Sequence, residues 1–149
     1  MILLVTGSNR GIGASIAIAG AERGYTVVVN HLGAERQANE VVDAIASRGG
    51  RAIAIEADVS KEREVERLFS QIDRQFGLVT ALVNNVGNGS DRQQILEAGA
   101  LDITRIFAVN VYSTILCTKA AVHRMSTRDG GLGGAIVNIS SLAAIRPDN

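Results

Sequence analysis

The first thirteen residues constrain this chain more than any other stretch. Met1-Ile-Leu-Leu-Val5 is a short apolar run with branched residues, the composition of a buried strand. It runs straight into Thr6-Gly7-Ser8-Asn9-Arg10-Gly11-Ile12-Gly13, and Ala14–Arg23 then reads as a helix. Gly7 lets the chain leave the strand sharply, because glycine tolerates positive φ. Gly11 and Gly13 carry no side chain, so a phosphate can approach the backbone and the helix can pack close to the strand. The first N–H groups of a helix lack internal acceptors and sit at the positive end of its dipole; a pyrophosphate satisfies both. The glycines fall as G-x-x-x-G-x-G, not the commoner G-x-G-x-x-G. Taken alone, the pattern also suits an ordinary turn.

Downstream, strand and helix patterns alternate. Tyr25–Asn30 is β-rich, and Ala34–Arg48 has apolar residues at Ala38, Val41, Val42 and Ile45, a helical spacing ended by Gly49-Gly50. Arg51–Glu56 is a third strand, leading to Ala57-Asp58-Val59. Ser60 reads as an N-cap, with Arg63 where a capping box would want Glu. The helix Lys61–Phe76 carries Val65, Leu68, Phe69 and Ile72 on one face and stops at Gly77. Val79–Asn84 is a fourth strand, followed by a loop through Ser90; Asp91–Gly99 reads as loop with room for a helical turn. Asp102–Met125 is a long helix, and Ala135–Ile139 is a fifth strand closed by Ser140-Ser141.

Such alternation calls for parallel strands joined by right-handed crossovers. The expected fold is an α/β, Rossmann-like doubly wound sheet of about five strands with helices on both faces, a single domain over residues 1–149 that lacks its C-terminal part. With 46 % apolar residues and 3 % aromatics, the core is one of Val, Ile, Leu and Ala. Zero formal net charge gives no reason to expect nucleic acid or an anionic membrane as partner. No apolar run reads as long enough to span a bilayer. Cys117 is the only cysteine, which rules out an internal disulfide and reads as a small core residue. The first strand begins with no basic leader ahead of it, so the expected compartment is cytoplasmic. His31 and His123 lie far apart and lack metal-ligand spacing, so no metal is expected.

A parallel sheet binds ligands beyond the carboxyl ends of its strands. That rule selects Gly7–Gly13, Asn30–His31, Asp58–Val59, Asn84–Gly87 and Ser140–Ser141, all small or polar. Each has a plain structural reading too. Asp58 can begin a helix, Asn84 and Asn85 can form a turn, Asn110 can face solvent, and Ser140-Ser141 can open a loop.

Taken together, Thr6-Gly7-x-x-x-Gly11-Ile12-Gly13, Asp58-Val59, Asn84-Asn85-Val86-Gly87, Asn110 and Ile136-Val-Asn-Ile-Ser-Ser141 resemble the short-chain dehydrogenase/reductase family, with Val86 where the family usually has Ala. The resemblance implies that Gly7, Ser8, Asn9, Arg10, Gly11, Ile12 and Gly13 cradle the pyrophosphate of a nicotinamide dinucleotide. It implies that Asp58 bonds the adenine with the Val59 backbone beside it, that Asn84 ties neighbouring strands, and that Asn85, Val86 and Gly87 line the ribose. Asn110 would interrupt its helix and hold a water in a proton relay. Ser141 would hydrogen-bond the substrate carbonyl, with Ser140 as the alternative. The implied reaction is hydride transfer between the nicotinamide and a small carbonyl or alcohol substrate, in a homo-oligomer.

Cofactor choice can be argued from two positions. A carboxylate at the end of the second strand favours NAD by bonding the ribose 2′-OH, and Asn30-His31-Leu32 offers none. Arg10, inside the turn, can reach a 2′-phosphate. The expectation is NADP(H) in preference to NAD(H). The family's Tyr-x-x-x-Lys motif is absent. The only lysines are Lys61 and Lys119, preceded four residues earlier by Ala57 and Ile115, and the only tyrosines are Tyr25 and Tyr112. The expectation is therefore the N-terminal portion of an oxidoreductase, inactive by itself. The alternatives are a nucleotide-binding or interaction module derived from that fold, or a site completed by a partner chain. An uncovered fifth strand would favour association.

Overall fold

A computed structural model describes residues 1–88 and 96–142. The apolar runs become strands β1 (Ile2–Val5), β2 (Thr26–His31), β3 (Arg51–Glu56), β4 (Ala81–Asn84) and β5 (Ala135–Asn138). They pair in parallel throughout, in the order β3-β2-β1-β4-β5. The connecting helices are α1 (Gly11–Glu22), α2 (Glu35–Ala46), α3 (Glu62–Phe76), α4 (Ala100–Phe107) and α5 (Ser113–Met125). This is the doubly wound Rossmann-like sheet. The chain builds outward from β1 through β2 to β3, then crosses back to set β4 on the other side of β1. The reversal opens a crevice between the ends of β1 and β4.

Period-two alternation divides the core. Leu4, Val28 and Leu82 face α3 and α5, joining Leu68, Phe69, Ile72, Cys117 and Ala121. Leu3, Val5, Val27 and Val29 face α1 and α2, joining Ala17, Val41 and Ile45. Both faces are covered, so central strands need apolar residues at every position rather than every second one. Cys117 is fully buried, as its sequence context suggested, and burial pushes its thiol pKa up to about 12. It is an inert packing residue. Arg124 binds α5 to α3: its Nε donates to both Asp73 carboxylate oxygens at 2.9 Å, and its guanidinium lies 4.9 Å from the Phe69 ring centre.

Three expectations need correction. Ser60 does not cap α3. The N-cap is Lys61, with no side-chain cap, and the Ser60 hydroxyl turns back to Asp58. The helix starts one residue too late for a Ser60 cap, and Ser60 instead closes a short turn with Asp58, which accepts both its hydroxyl and its N–H. The long helix begins at Ala100 rather than Asp102, because the Asp102 carboxylate accepts the Gly99 N–H at 3.2 Å and opens the helix two residues early. The helical run Ala100–Met125 is also long and apolar enough, by length and composition, to cross a membrane, contrary to the sequence reading. Its buried residues Cys117, Ala121 and Met125 pack into the core beside α3, as a sheet-covering helix does.

That run is not one regular helix. Residues Ala108–Tyr112 form a π turn between α4 and α5, so the helix is interrupted at Asn110 as the resemblance implied. At the far edge, β5 pairs with β4 alone, and Val137 is 49 % exposed. Phe107, Val111, Ile115 and Val122 are exposed on the neighbouring helices. The uncovered apolar face expected around β5 is therefore present among the described residues. The expected loop at 91–95 and the segment 143–149 lie outside them.

Candidate nucleotide site

The crevice at the β1–β4 reversal is a cleft of about 800 Å³. It is lined by Gly7, Asn9, Arg10, Gly11, Ile12 and Gly13 from the turn, Asn30 and His31 from β2, Asp58 and Val59 after β3, and Asn85, Val86 and Gly87 after β4. Four of the five segments selected from the sequence thus meet in one place. Ser141 lies past β5 and is not among the lining residues, nor is Asn110, although Val109 is. Ser8 belongs to the turn but faces inward: it is fully buried, and its hydroxyl donates to Val5 O at 2.8 Å.

Gly7 and Gly11 adopt φ of 59° and 57°, the region where a Cβ is strained. A Cβ on Gly13 would lie 2.6 Å from both Gly7 O and Asn85 Nδ2, so that position has no room for a side chain. A Cβ on Gly11 would meet nothing within 4 Å, because its open side faces the cleft. Helix α1 starts here with no side-chain cap and no acidic residue in its first turn. The first N–H to find a helical acceptor is that of Ala14, on Arg10 O. The N–H groups of Gly11, Ile12 and Gly13 are left without one, at the positive end of the helix and along the cleft wall. An anion of phosphate type completes this arrangement, so the donor set fits a dinucleotide's pyrophosphate.

The turn is held by residues remote in sequence. Thr6 Oγ1 accepts the N–H groups of Asn85 at 3.0 Å and Val86 at 3.1 Å. The Asn85 side-chain amide donates to Thr6 O at 2.9 Å and Gly7 O at 3.0 Å. From the other side, Asn30 Oδ1 accepts the Gly7 N–H at 3.2 Å while its Nδ2 donates to Ala57 O at 3.0 Å. Asn85 and Asn30 therefore spend much of their polar capacity on the scaffold. Sequence reasoning left Thr6 out of the site and did not find Gln37, which also lines the cleft from α2. Its place at the end of β1 was the available signal for Thr6; Gln37 needed the helix's orientation.

Asp58 is a short hub of its own. Its Oδ1 accepts the Ser60 hydroxyl at 2.6 Å and the Ser60 N–H at 3.1 Å, and Oδ2 pairs with Lys61 Nζ at 3.1 Å. Burial opposes its ionisation, but the Ser60 hydroxyl, the Lys61 ammonium and the Ser60 N–H outweigh it and hold the carboxyl below its ordinary range. At the cleft it is an anionic acceptor. Arg10 is exposed, and its guanidinium makes no hydrogen bond or ion pair with a described residue. His31 is buried, with Nδ1 accepting the Ala34 N–H at 3.4 Å.

Asn84 ties strands as the resemblance implied: Nδ2 donates to Asn138 Oδ1 at 2.8 Å across β4–β5 and to Thr118 Oγ1 at 3.1 Å. Asn110 is half-buried and does not line the cleft. Its Oδ1 accepts the Asn88 N–H at 3.0 Å, and its Nδ2 donates to Asn88 O at 3.0 Å and to Ile106 O at 2.9 Å. Both its donors are engaged. The side chain pins the loop after β4 to the π turn.

The family model for short chain dehydrogenase matches residues 1–148. The chain belongs to the short-chain dehydrogenase family. These are oxidoreductases that bind NAD(P), act on small molecules and often form oligomers. The chain is similar to the uncharacterized oxidoreductase YgfF of Escherichia coli, with 42 % identity over 96 % of this chain and 58 % of the relative. It is similar to glucose 1-dehydrogenase 2 of Bacillus subtilis, with 36 % identity over 93 % of this chain and 53 % of the relative. It is similar to the hydroxynaphthalene reductase-like protein Arp2 of Metarhizium robertsii, with 41 % identity over 96 % of this chain and 51 % of the relative. The chain thus spans somewhat more than half the length of the curated relatives it matches.

Proposed function

We propose that this chain is the nucleotide-binding part of an NADP-dependent short-chain dehydrogenase, one that moves hydride between the nicotinamide and a small carbonyl or alcohol. The observation that carries the reading is the pairing of an uncapped glycine turn with an unpartnered Arg10 and a β2 end without a carboxylate. NADPH supplies the hydride; the chain's own groups bind and orient it. The N–H groups at Gly11–Gly13 receive the pyrophosphate. Asp58 accepts from the adenine amine, and Arg10 pairs with the 2′-phosphate. Ser141 is the hydrogen-bond donor to the substrate oxygen, and Asn110 keeps the loop beside the nicotinamide ribose in place. With no Tyr-x-x-x-Lys, residues 1–149 bind cofactor as one domain without turning it over.

Calorimetric titration with NADPH and NADH tests this directly. NADPH binds more tightly to the wild-type chain, and Arg10→Ala abolishes the difference. Equal or tighter binding of NADH by the wild-type chain overturns the cofactor assignment. Reduction of carbonyl substrates by the pure 149-residue chain overturns the assignment of binding without turnover.

A further inference from the structure

The side chain of Val86 sits where the glycine turn, the β4 loop and the core converge. A Cβ built on Gly7 would lie 2.9 Å from Val86 Cγ2 and 3.5 Å from Val86 Cα, so one valine methyl rests directly on the bare face of Gly7. On its other side Val86 packs against the core cluster that includes Leu4, Val59 and Cys117. It also lines the cleft beside Gly7 and Gly87. Its own position is set by backbone, because its N–H is held on Thr6 Oγ1 at 3.1 Å. A β-branched side chain has few rotamers, so a fixed backbone fixes the methyls as well.

We propose that Val86 is a positioning residue: a wedge between the glycine turn and the core that sets how far Gly7 stands from the β4 loop, and so the width of the pyrophosphate end of the cleft. The inference rests on the nucleotide-binding reading above. Hydrogen bonds already fix the turn laterally, through Asn85 to Thr6 O and Gly7 O and through Asn30 to the Gly7 N–H. None of them resists the turn sinking toward the core, since Gly7 has no side chain with which to fill that space. The Val86 methyl fills it. Removing the wedge lets the N–H groups that meet the pyrophosphate drift from the positions the ligand needs, and such small displacements are costly where donors must converge on one group. The adenosine end is built differently. His31, Asp58 and Ser60 line it, and the polar contacts that fix Asp58, to Ser60 and Lys61, do not involve Val86.

The test uses the full chain and two ligands, NADPH and adenosine 2′-monophosphate, which carries the adenosine end without the pyrophosphate. Val86→Ala removes both methyls. Val86→Leu keeps apolar volume but lacks the branch against Gly7, and it guards against a simple failure to fold. Both variants weaken NADPH binding about tenfold, through displacement of the turn's N–H donors once no β-branched methyl rests on Gly7, and leave adenosine 2′-monophosphate binding unchanged. If the wild-type chain binds neither ligand, the underlying nucleotide reading fails. If the wild type binds both and Val86→Ala and Val86→Leu match it, or lose both ligands in equal measure, the wedge is overturned.

Discussion

Replacing Asn110 with alanine removes three hydrogen bonds, two of which join the π turn to the loop after β4, 22 residues earlier. Two go to the Asn88 backbone, and Asn88 is exposed, so water replaces those partners and each loss costs about 0.5 kcal/mol. The third goes to Ile106 O, which is partly buried beside the π turn, and its loss costs about 1 kcal/mol. The sum is about 2 kcal/mol. For a domain of this length that lowers the melting temperature by about 6 °C. Urea unfolding followed by circular dichroism measures the energy, with an unchanged denaturant slope showing that the unfolded state is not altered. Hydrogen exchange supplies the local readout: the Asn88 amide exchanges faster in the variant. Asn110→Asp discriminates further. It keeps the acceptor for the Asn88 N–H but sets a carboxylate against the carbonyls of Asn88 and Ile106, so it destabilises at least as much as alanine. Stability of Asn110→Ala within about 0.5 kcal/mol of wild type, the range of ordinary surface substitutions, would falsify the clamp. An unchanged Asn88 exchange rate would do the same.

Gly13→Ala places a Cβ 2.6 Å from Gly7 O and from the Asn85 amide, which is itself held by two hydrogen bonds and cannot retreat. Overpacking of this kind costs about 1–3 kcal/mol, and calorimetry should detect no NADPH binding to a variant that still melts cooperatively; normal affinity would show that the turn is not the phosphate cradle. Acid unfolding reports on Asp58. Its folded-state pKa is depressed below the ordinary 3.8, so its contribution is complete above that value and is lost as pH falls through the lower folded value. Asp58→Asn should remove this part of the acid limb of the stability–pH curve, and identical limbs in the two proteins would rule the contribution out.

Much of the fold was legible in the sequence because burial has a local signature. The alternation of apolar runs with helical spacing gave the five parallel strands and the helices between them. Val65, Leu68, Phe69 and Ile72 face the core as their spacing required. The glycine turn was legible for the same reason: positive φ at Gly7 and Gly11 and the tight fit at Gly13 are properties of single positions. Ser60 shows where local rules fail. As a residue type it suits an N-cap, but Asp58 two residues earlier draws Ser60 into a local turn through its hydroxyl and N–H, and the helix starts one residue later.

The order of elements, the chemistry waiting at the ends of the strands, and the bare backbone at which a phosphate can arrive are all written in the linear chain. The tertiary structure alone decided how those ends hold one another. Thr6 receives the Asn85 N–H from 79 residues away, Asn30 reaches Ala57 across 27, and Asn110 clamps Asn88 across 22. No periodicity encodes such partners. A hydrogen bond across a crossover depends on the separation and twist of packed elements, and those exist only once both faces of the sheet are buried.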